Sequence, residues 1–185
     1  CYTNTGNTAR RLAGLGAGCP ILAITDNKRT FRQLALVWKV TPILVEKAES
    51  IEKTIEAGIE KLKNKEILES GDTVVITGGT SGIGLATADV FLKNGWNTVL
   101  IGRDAEKGMQ VERHLGETYS PAQVAFIQAD ISKSSEVEHA KQITLNKFKT
   151  VDAIVNNAGI VIHGEVHETS EEDWDKIFDV DVKGT

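Results

Sequence analysis

Short apolar runs alternate with amphipathic segments from one end of the chain to the other. The runs are CPILAIT (19–25), TPILVE (41–46), DTVVIT (72–77), NTVLIG (97–102), QVAFIQ (123–128) and DAIVNN (152–157). Several are apolar at consecutive rather than alternate positions, which predicts strands buried on both faces, as in a parallel sheet covered by helices. Helical segments lie between them. Ser50 is placed to cap a helix whose Ile51, Ile55, Ile59 and Leu62 share one face, with Glu and Lys opposite. Ser135 and Glu138 have capping-box spacing at the start of another helix, and so do Thr169 and Glu172. Strand–helix–strand repetition predicts an α/β class: three layers, α/β/α, around a mainly parallel sheet with right-handed crossovers. No fixed repeat or low-complexity linker interrupts the pattern. The best boundary is ESGD (69–72), which divides the chain into segments 1–70 and 71–185.

Composition narrows the classes. With 25% charged and 41% hydrophobic residues, the chain has the profile of an ordinary soluble globular protein. A net charge of −5 and the lack of a basic stripe argue against nucleic-acid binding. No apolar run reaches the roughly 18 residues of a membrane span. Cys1 and Cys19 offer neither metal spacing nor a disulfide framework, so a reducing cytoplasm is the expected compartment. The chain opens on Cys1 and stops at Gly184-Thr185, and both ends read as cut. His163 and His167 stand four apart, but Gly164 lies between them and no third ligand is near, so no metal site is expected. His114 and His139 sit in charged helical stretches and read as surface residues.

The candidate chemistry centres on Thr77-Gly78-x-x-x-Gly82-x-Gly84, directly after a strand and directly before a helix. Gly78 permits the tight turn, Gly82 lets backbone N–H groups approach an anion, and Gly84 lets the helix lie against the sheet. The helix then presents its positive end to the pyrophosphate of a dinucleotide. An acid that binds the adenosine ribose is expected about 20 residues on, at the end of the second strand. The sequence there reads VLIGRD: Gly102 stands at that position and Arg103 follows. A guanidinium without the carboxylate favours a 2′-phosphate, hence NADP over NAD, although Asp104 is positioned to neutralise it.

The third strand of this segment ends in Ala129-Asp130-Ile131 and the fourth in Asn156-Asn157-Ala158-Gly159. With TGGTSGIG (77–84, including Thr80, Ser81 and Ile83), these motifs make residues 73–185 resemble the N-terminal part of a short-chain dehydrogenase/reductase. The resemblance implies a Rossmann fold and an NAD(P)-dependent oxidoreductase. Asp130 and Ile131 would contact the adenine. Asn157, Ala158 and Gly159 would line the nicotinamide-ribose side, and Asn156 would hold the central strands together. The following helix carries Trp174, Ile177, Phe178 and Val182 on one face, spaced as a core stripe. Asp181 falls on the same face, where the family usually has an Asn belonging to its proton relay. An acid keeps the acceptor and loses the amide donor. The family's catalytic Ser and Tyr-x-x-x-Lys follow this helix, and neither Tyr2 nor Tyr119 has a lysine four residues on. As given, the chain is expected to bind a dinucleotide and not to transfer hydride.

The first segment has a different likeness. TNTGNTARRL, CPILAIT…RQLALVW and the helix leading into DTVVITGG resemble the C-terminal domain of pyruvate kinase, from Cys1 to about Gly79. In that family a hydroxyl-rich loop, here Thr3, Thr5, Gly6 and Thr8, cradles a phosphate of a sugar-bisphosphate effector. The same residues also suit a plain N-cap with threonine filler. DTVVITGG thus fits the last matched strand of one family and the first strand of the other, as in a fusion spliced inside a shared strand. The neighbours each family places beside that strand claim the same side of it, and the dehydrogenase set, being nearly complete, is expected to win. Two further readings stay open: a sugar-phosphate-binding regulatory module with the dehydrogenase part as passenger, and a structural chimera competent for neither ligand. Members of both families usually form tetramers, and the oligomeric state of this chain is left open.

Overall fold

A computed structural model describes residues 1–16, 18–65, 67, 69–162, 164, 167 and 169–184, except for the side chains of Ile51 and Glu52. The six apolar runs all form strands, and the backbone divides into two compact units, Cys1–Glu69 and Ser70–Thr185. No helix among the described residues is long and apolar enough to cross a membrane.

The first unit holds α1 (Asn7–Gly14), β1 (Ile21–Thr25), α2 (Lys28–Leu34), β2 (Val40–Leu44) and α3 (Ile51–Asn64). β1 and β2 pair in parallel, Ile21 opposite Val40 through Thr25 opposite Leu44. Tyr2 forms a parallel bridge to Ile24, with Thr3 N–H donating to the Ile24 carbonyl at 2.9 Å. Ala9 and Leu34 pack with Ile21, Ala23 and Val40 on one face of this small sheet. Gly58 of α3 lies against Ile24, whose side chain points the other way; a Cβ at Gly58 would stand 2.5 Å from the Ile24 Cδ1. Ser50 caps α3 through the Lys53 N–H at 3.3 Å, and Ile59 and Leu62 are buried, as the periodicity predicts. The Ile51 side chain lies outside the described residues.

The second unit holds β3 (Thr73–Thr77), α4 (Gly82–Lys93), β4 (Asn97–Gly102), α5 (Ala105–Thr118), β5 (Val124–Gln128), α6 (Ser134–Phe148), β6 (Ala153–Val155) and α7 (Glu171–Phe178), which runs into a π-helical turn over Asp179–Lys183. The strand order is β5-β4-β3-β6, all parallel. β3 therefore has β4 on one side and β6 on the other, and β1–β2 form a separate sheet. Alternate residues of β4 and β5 face opposite layers. Val99, Ile101, Ala125 and Ile127 pack with Ala140 of α6 and with Phe148. Phe126, pointing the other way, lies against Gly108 of α5, where a Cβ would come within 2.1 Å of the ring. This is the Rossmann-like α/β/α arrangement.

Three local expectations need correction. α6 starts at Ser134 with Lys133 in the cap position, so Ser135 and Glu138 form no capping box. Glu138 instead takes Lys141 at 3.1 Å and Gln142 at 3.0 Å. α7 is capped by Ser170, which accepts from the Asp173 N–H at 3.1 Å, and Glu172 pairs with Lys176 rather than closing a box with Thr169. The cap falls two positions before Ser135 at α6 and one position after Thr169 at α7, so the spaced pair marks the neighbourhood of each helix start and not the cap itself. The apolar stripe of α7 is also not core. Trp174 is 56% exposed, and it stacks on Phe178 with ring centroids 4.7 Å apart. Periodicity shows which face of a helix is apolar, not that another element covers it.

Candidate dinucleotide site

β3 delivers the chain to the glycine loop at its carboxyl end. Gly78 has φ +64, which disfavours a side chain, and a Cβ there would meet the Ala158 Cα at 2.9 Å. The loop enters α4 at Ser81, whose side chain makes no cap hydrogen bond. The orphan N–H groups of this first turn are therefore left for another acceptor. Gly84 sits directly on the turn: an added Cβ would lie 2.3 Å from the Gly78 carbonyl oxygen and 2.5 Å from the Asn157 Nδ2. A cradle this bare of side chains, ending in uncapped N–H groups, fits a phosphate group.

The turn after β6 is fastened to the same loop. Thr77 Oγ1 accepts from the N–H groups of Asn157 and Ala158, both at 3.0 Å. The Asn157 amide donates to the carbonyls of Thr77 and Gly78 at 3.0 and 3.3 Å. This cross-link runs through Asn157, while Asn156 is exposed. Asp181 Oδ1 accepts from the Ile160 N–H at 2.9 Å, so the π-helical turn holds the far end of the Asn157–Gly159 segment.

At the end of β5, Asp130 accepts from the Ser132 hydroxyl at 2.7 Å and its N–H at 3.1 Å. The Ser132 hydroxyl bond, with smaller help from the Ser132 N–H and then from the charges of Lys133 and Arg103, holds the Asp130 carboxyl below its ordinary value despite partial burial. Glu136 accepts from the Asp130 N–H at 2.7 Å and pairs with Lys133 at 2.8 Å, fixing the start of α6.

These segments enclose a cleft of about 400 Å³ along the carboxyl ends of the strands. It brings together Gly78, Thr80 and Ser81 from the loop, Arg103 just after β4, Asp130 and Ile131 just after β5, and Asn157, Ala158 and Gly159 from the turn after β6. Thr77, Gly82, Ile83 and Gly84 support the cleft without lining it, and Asp181 is represented there by its neighbour Val180. Sequence reasoning passed over Lys107 and Ile160, which also line it. Lys107 is the third residue of α5, a position that becomes visible once Asp104 is recognised as the cap. Asp104 Oδ1 accepts from the Lys107 N–H at 3.0 Å.

The other candidates behave differently. Thr3 is buried, and its hydroxyl accepts from the Gly6 N–H at 2.9 Å; Thr5 accepts weakly from the Asn7 N–H at 3.5 Å. Two of the four loop residues thus have hydroxyls engaged in shaping the start of α1, and Gly6 stands at φ +82 as its N-cap, with Thr8 inside the first turn. His114 and His139 are exposed. His163 lies outside the described residues, and no group of three or more metal-ligating side chains occurs among the described ones.

Comparison with known proteins gives two family matches. The family model described as short chain dehydrogenase matches residues 72–185. The model described as pyruvate kinase, alpha/beta domain, matches residues 1–91. The two overlap over 72–91, which contain β3, the glycine loop and most of α4. Among curated relatives, the NADP-dependent (R)-specific alcohol dehydrogenase of Lentilactobacillus kefiri is 36% identical over 114 residues, 62% of this chain and 44% of that protein. A 3-oxoacyl-acyl-carrier-protein reductase of Chlamydia trachomatis is 34% identical over 110 residues, again 44% of its length. The chain therefore spans somewhat under half the length of these relatives. Among solved structures, L-sorbose reductase from Gluconobacter frateurii, complexed with NADPH and L-sorbose, superposes with a TM-score of 0.60 at 30% identity over 64% of this chain and 44% of that one. A 3-ketoacyl-acyl-carrier-protein reductase from Brucella melitensis, complexed with NADH, gives 0.58 at 34% identity over 62% of this chain and 46% of that one.

Proposed function

The chain belongs to the short-chain dehydrogenase family, and from that premise we propose that residues 71–185 are the cofactor-binding module of an oxidoreductase moving hydride between NADP(H) and a hydroxyl or carbonyl group. The observation that carries this reading is the convergence, on one cleft, of an uncapped helix start, the Arg103 guanidinium and the Asn157–Gly159 segment. The α4 N–H groups would hold the pyrophosphate, Asp130 and Ile131 the adenine, and Ala158 and Gly159 the nicotinamide ribose. The cofactor, when bound, supplies the hydride chemistry. What these residues supply is binding and orientation. Relatives named for NADP or complexed with NADPH support the NADP preference, and one complexed with NADH keeps the comparison two-sided. The preference rests on Gly102-Arg103 in this chain. The 185 residues contain no Tyr-x-x-x-Lys pair, so binding without turnover is the behaviour proposed for this chain alone. Residues 1–70 are proposed as a separate unit, which the compact unit Cys1–Glu69 supports, and a sugar phosphate at Thr3–Thr8 is proposed as its ligand class on the likeness of this segment to the pyruvate kinase domain alone.

Calorimetric titration with NADPH and NADH, on the wild type and on Arg103→Ala, tests the reading. Tighter NADPH binding that falls to the NADH level in the variant is expected. No heat from either cofactor would reject the module as a dinucleotide binder. A sugar bisphosphate that stabilises the chain thermally where NADPH does not would favour the first unit as the functional one.

A further inference from the structure

The end of β4 is occupied in a way that reassigns its neighbours. At Gly102, where a ribose-binding acid is expected, a Cβ would stand 3.1 Å from Thr80 Cγ2 and 3.3 Å from Thr80 Oγ1. Thr80 is itself 9% exposed and held between the loop and β4. The first carbon of an acid side chain would thus crowd a neutral hydroxyl side chain, which would have to give by a few tenths of an ångström. Two cations, Arg103 and Lys107, line the cleft beside it, as do two carboxylates, Asp104 and Asp130.

The two carboxylates are already engaged. Asp104 accepts from the Lys107 N–H as the cap of α5, and Asp130 accepts from both donors of Ser132. Neither Arg103 nor Lys107 forms a side-chain ion pair among the described residues, and both are exposed. The cap also fixes where Lys107 starts from: its own N–H is held by Asp104, in the first turn of α5. A cation in the first turn of a helix opposes the helix dipole, and an anion bound beside it relieves that. A phosphate monoester carries about −1.5 to −2 charges near neutral pH, which one guanidinium does not balance.

We propose that Lys107 is a second cofactor-specificity residue, acting with Arg103 to hold the 2′-phosphate of NADP(H) at the end of β4. This rests on the dinucleotide reading above and deepens it, since it assigns discrimination to a pair of cations rather than to Arg103 alone. Asp104, on this account, does not neutralise Arg103. It caps the helix that carries the second cation.

The test uses the full 185-residue chain, titrated with NADPH, NADH, 2′,5′-ADP and 5′-AMP, for the wild type, Lys107→Gln, Lys107→Arg and Arg103→Ala. Lys107→Gln is expected to weaken NADPH and 2′,5′-ADP roughly five- to tenfold, as the loss of one charge-assisted contact does. NADH and 5′-AMP should bind as before, Lys107→Arg should keep most of the discrimination, and the salt dependence of NADPH binding should flatten in Lys107→Gln. Equal weakening of phosphorylated and unphosphorylated ligands would overturn the proposal by making Lys107 a helix-stabilising or pyrophosphate-contacting residue. Unchanged discrimination in Lys107→Gln, with wild-type NADPH binding intact, would overturn this inference and leave the dinucleotide reading standing. A wild type that binds none of the four ligands would remove both.

Discussion

Asn157 and Thr77 hold each other through two direct hydrogen bonds at the ends of two adjacent strands, and two more join their neighbours Ala158 and Gly78 to the same pair. The Thr77 hydroxyl receives the N–H groups of Asn157 and Ala158, and the Asn157 amide reaches the carbonyls of Thr77 and Gly78. Thr77 is 8% exposed, and the donor residues Asn157 and Ala158 are half-buried. Thr77→Val keeps the shape and removes the acceptor, leaving two N–H groups unpaired. A loss of about 2 kcal/mol is expected, with Thr77→Ser much milder. Urea denaturation of the three proteins checks this. A Val variant as stable as the wild type would show that the clamp contributes nothing.

The two glycines at the start of α4 should respond differently to alanine. At Gly84 the new methyl would stand 2.3 Å from a backbone oxygen, which cannot move without moving the turn after β3. Gly84→Ala is expected to abolish dinucleotide binding and to cost more than about 2 kcal/mol. Gly82 has open space around it but stands at φ +52. Gly82→Ala should cost about 1 kcal/mol through backbone strain and weaken binding only partly. Calorimetric titration and denaturation on both variants separate steric exclusion from conformational cost; equal losses at the two positions would contradict it.

The strands were legible because each is an apolar run with few alternatives, and their burial between helix layers needs nothing from outside the run. The glycine loop was legible because its residues are consecutive. The clamp was not: Thr77 and Asn157 lie 80 positions apart, and nothing local marks a threonine hydroxyl as the acceptor for a distant turn. Lys107 was hidden for another reason. Its place in the cleft depends on where α5 begins, which Asp104 decides, and Asp104 had looked like a competitor for Arg103. The α7 stripe was read correctly as apolar and wrongly as buried, since burial depends on what lies opposite Trp174 and Phe178.

Asp181 supplies an acceptor to the Ile160 N–H, and Asn at that position would supply one too. Asp181→Asn should therefore leave NADPH affinity within about twofold of wild type, while Asp181→Ala releases the Ile160 end of the cleft and weakens binding roughly three- to tenfold. Titration of both variants decides it. Equal affinity of the alanine variant and wild type would mean that Gly159 and Ile160 hold their place without the π-helical turn.

At acid pH the part of the cleft after β5 should be governed by Asp130. Its carboxyl is held low first by the Ser132 hydroxyl bond. A depressed folded value contributes stability that is present above the unfolded value of 3.8 and is lost as pH falls through the folded value. Ser132→Ala should move the Asp130 titration back upward, so that acid destabilisation sets in at higher pH. Carbon NMR titration of the carboxyl reads this directly. An unshifted titration in Ser132→Ala would reassign the depression to the backbone N–H of residue 132, which the variant keeps, and to the charges of Lys133 and Arg103.

At alkaline pH the sensitive group is Tyr119, whose hydroxyl donates to Asp89 at 2.6 Å, from the end of α5 to α4. Partial burial, then the hydrogen bond to Asp89 and its charge, push the phenol from 10.0 up to about 12. Because the folded value is raised, the contribution is complete below the unfolded value of 10.0 and disappears as pH rises through about 12. Tyr119→Phe should cost about 1 kcal/mol near neutral pH, a modest figure because the pair is solvent-accessible. The gap between variant and wild type should close through that alkaline window, and denaturation series at several pH values would trace it. Ultraviolet titration in a Tyr2→Phe background isolates the phenol itself; ionisation near 10 would show that Asp89 does not hold its proton.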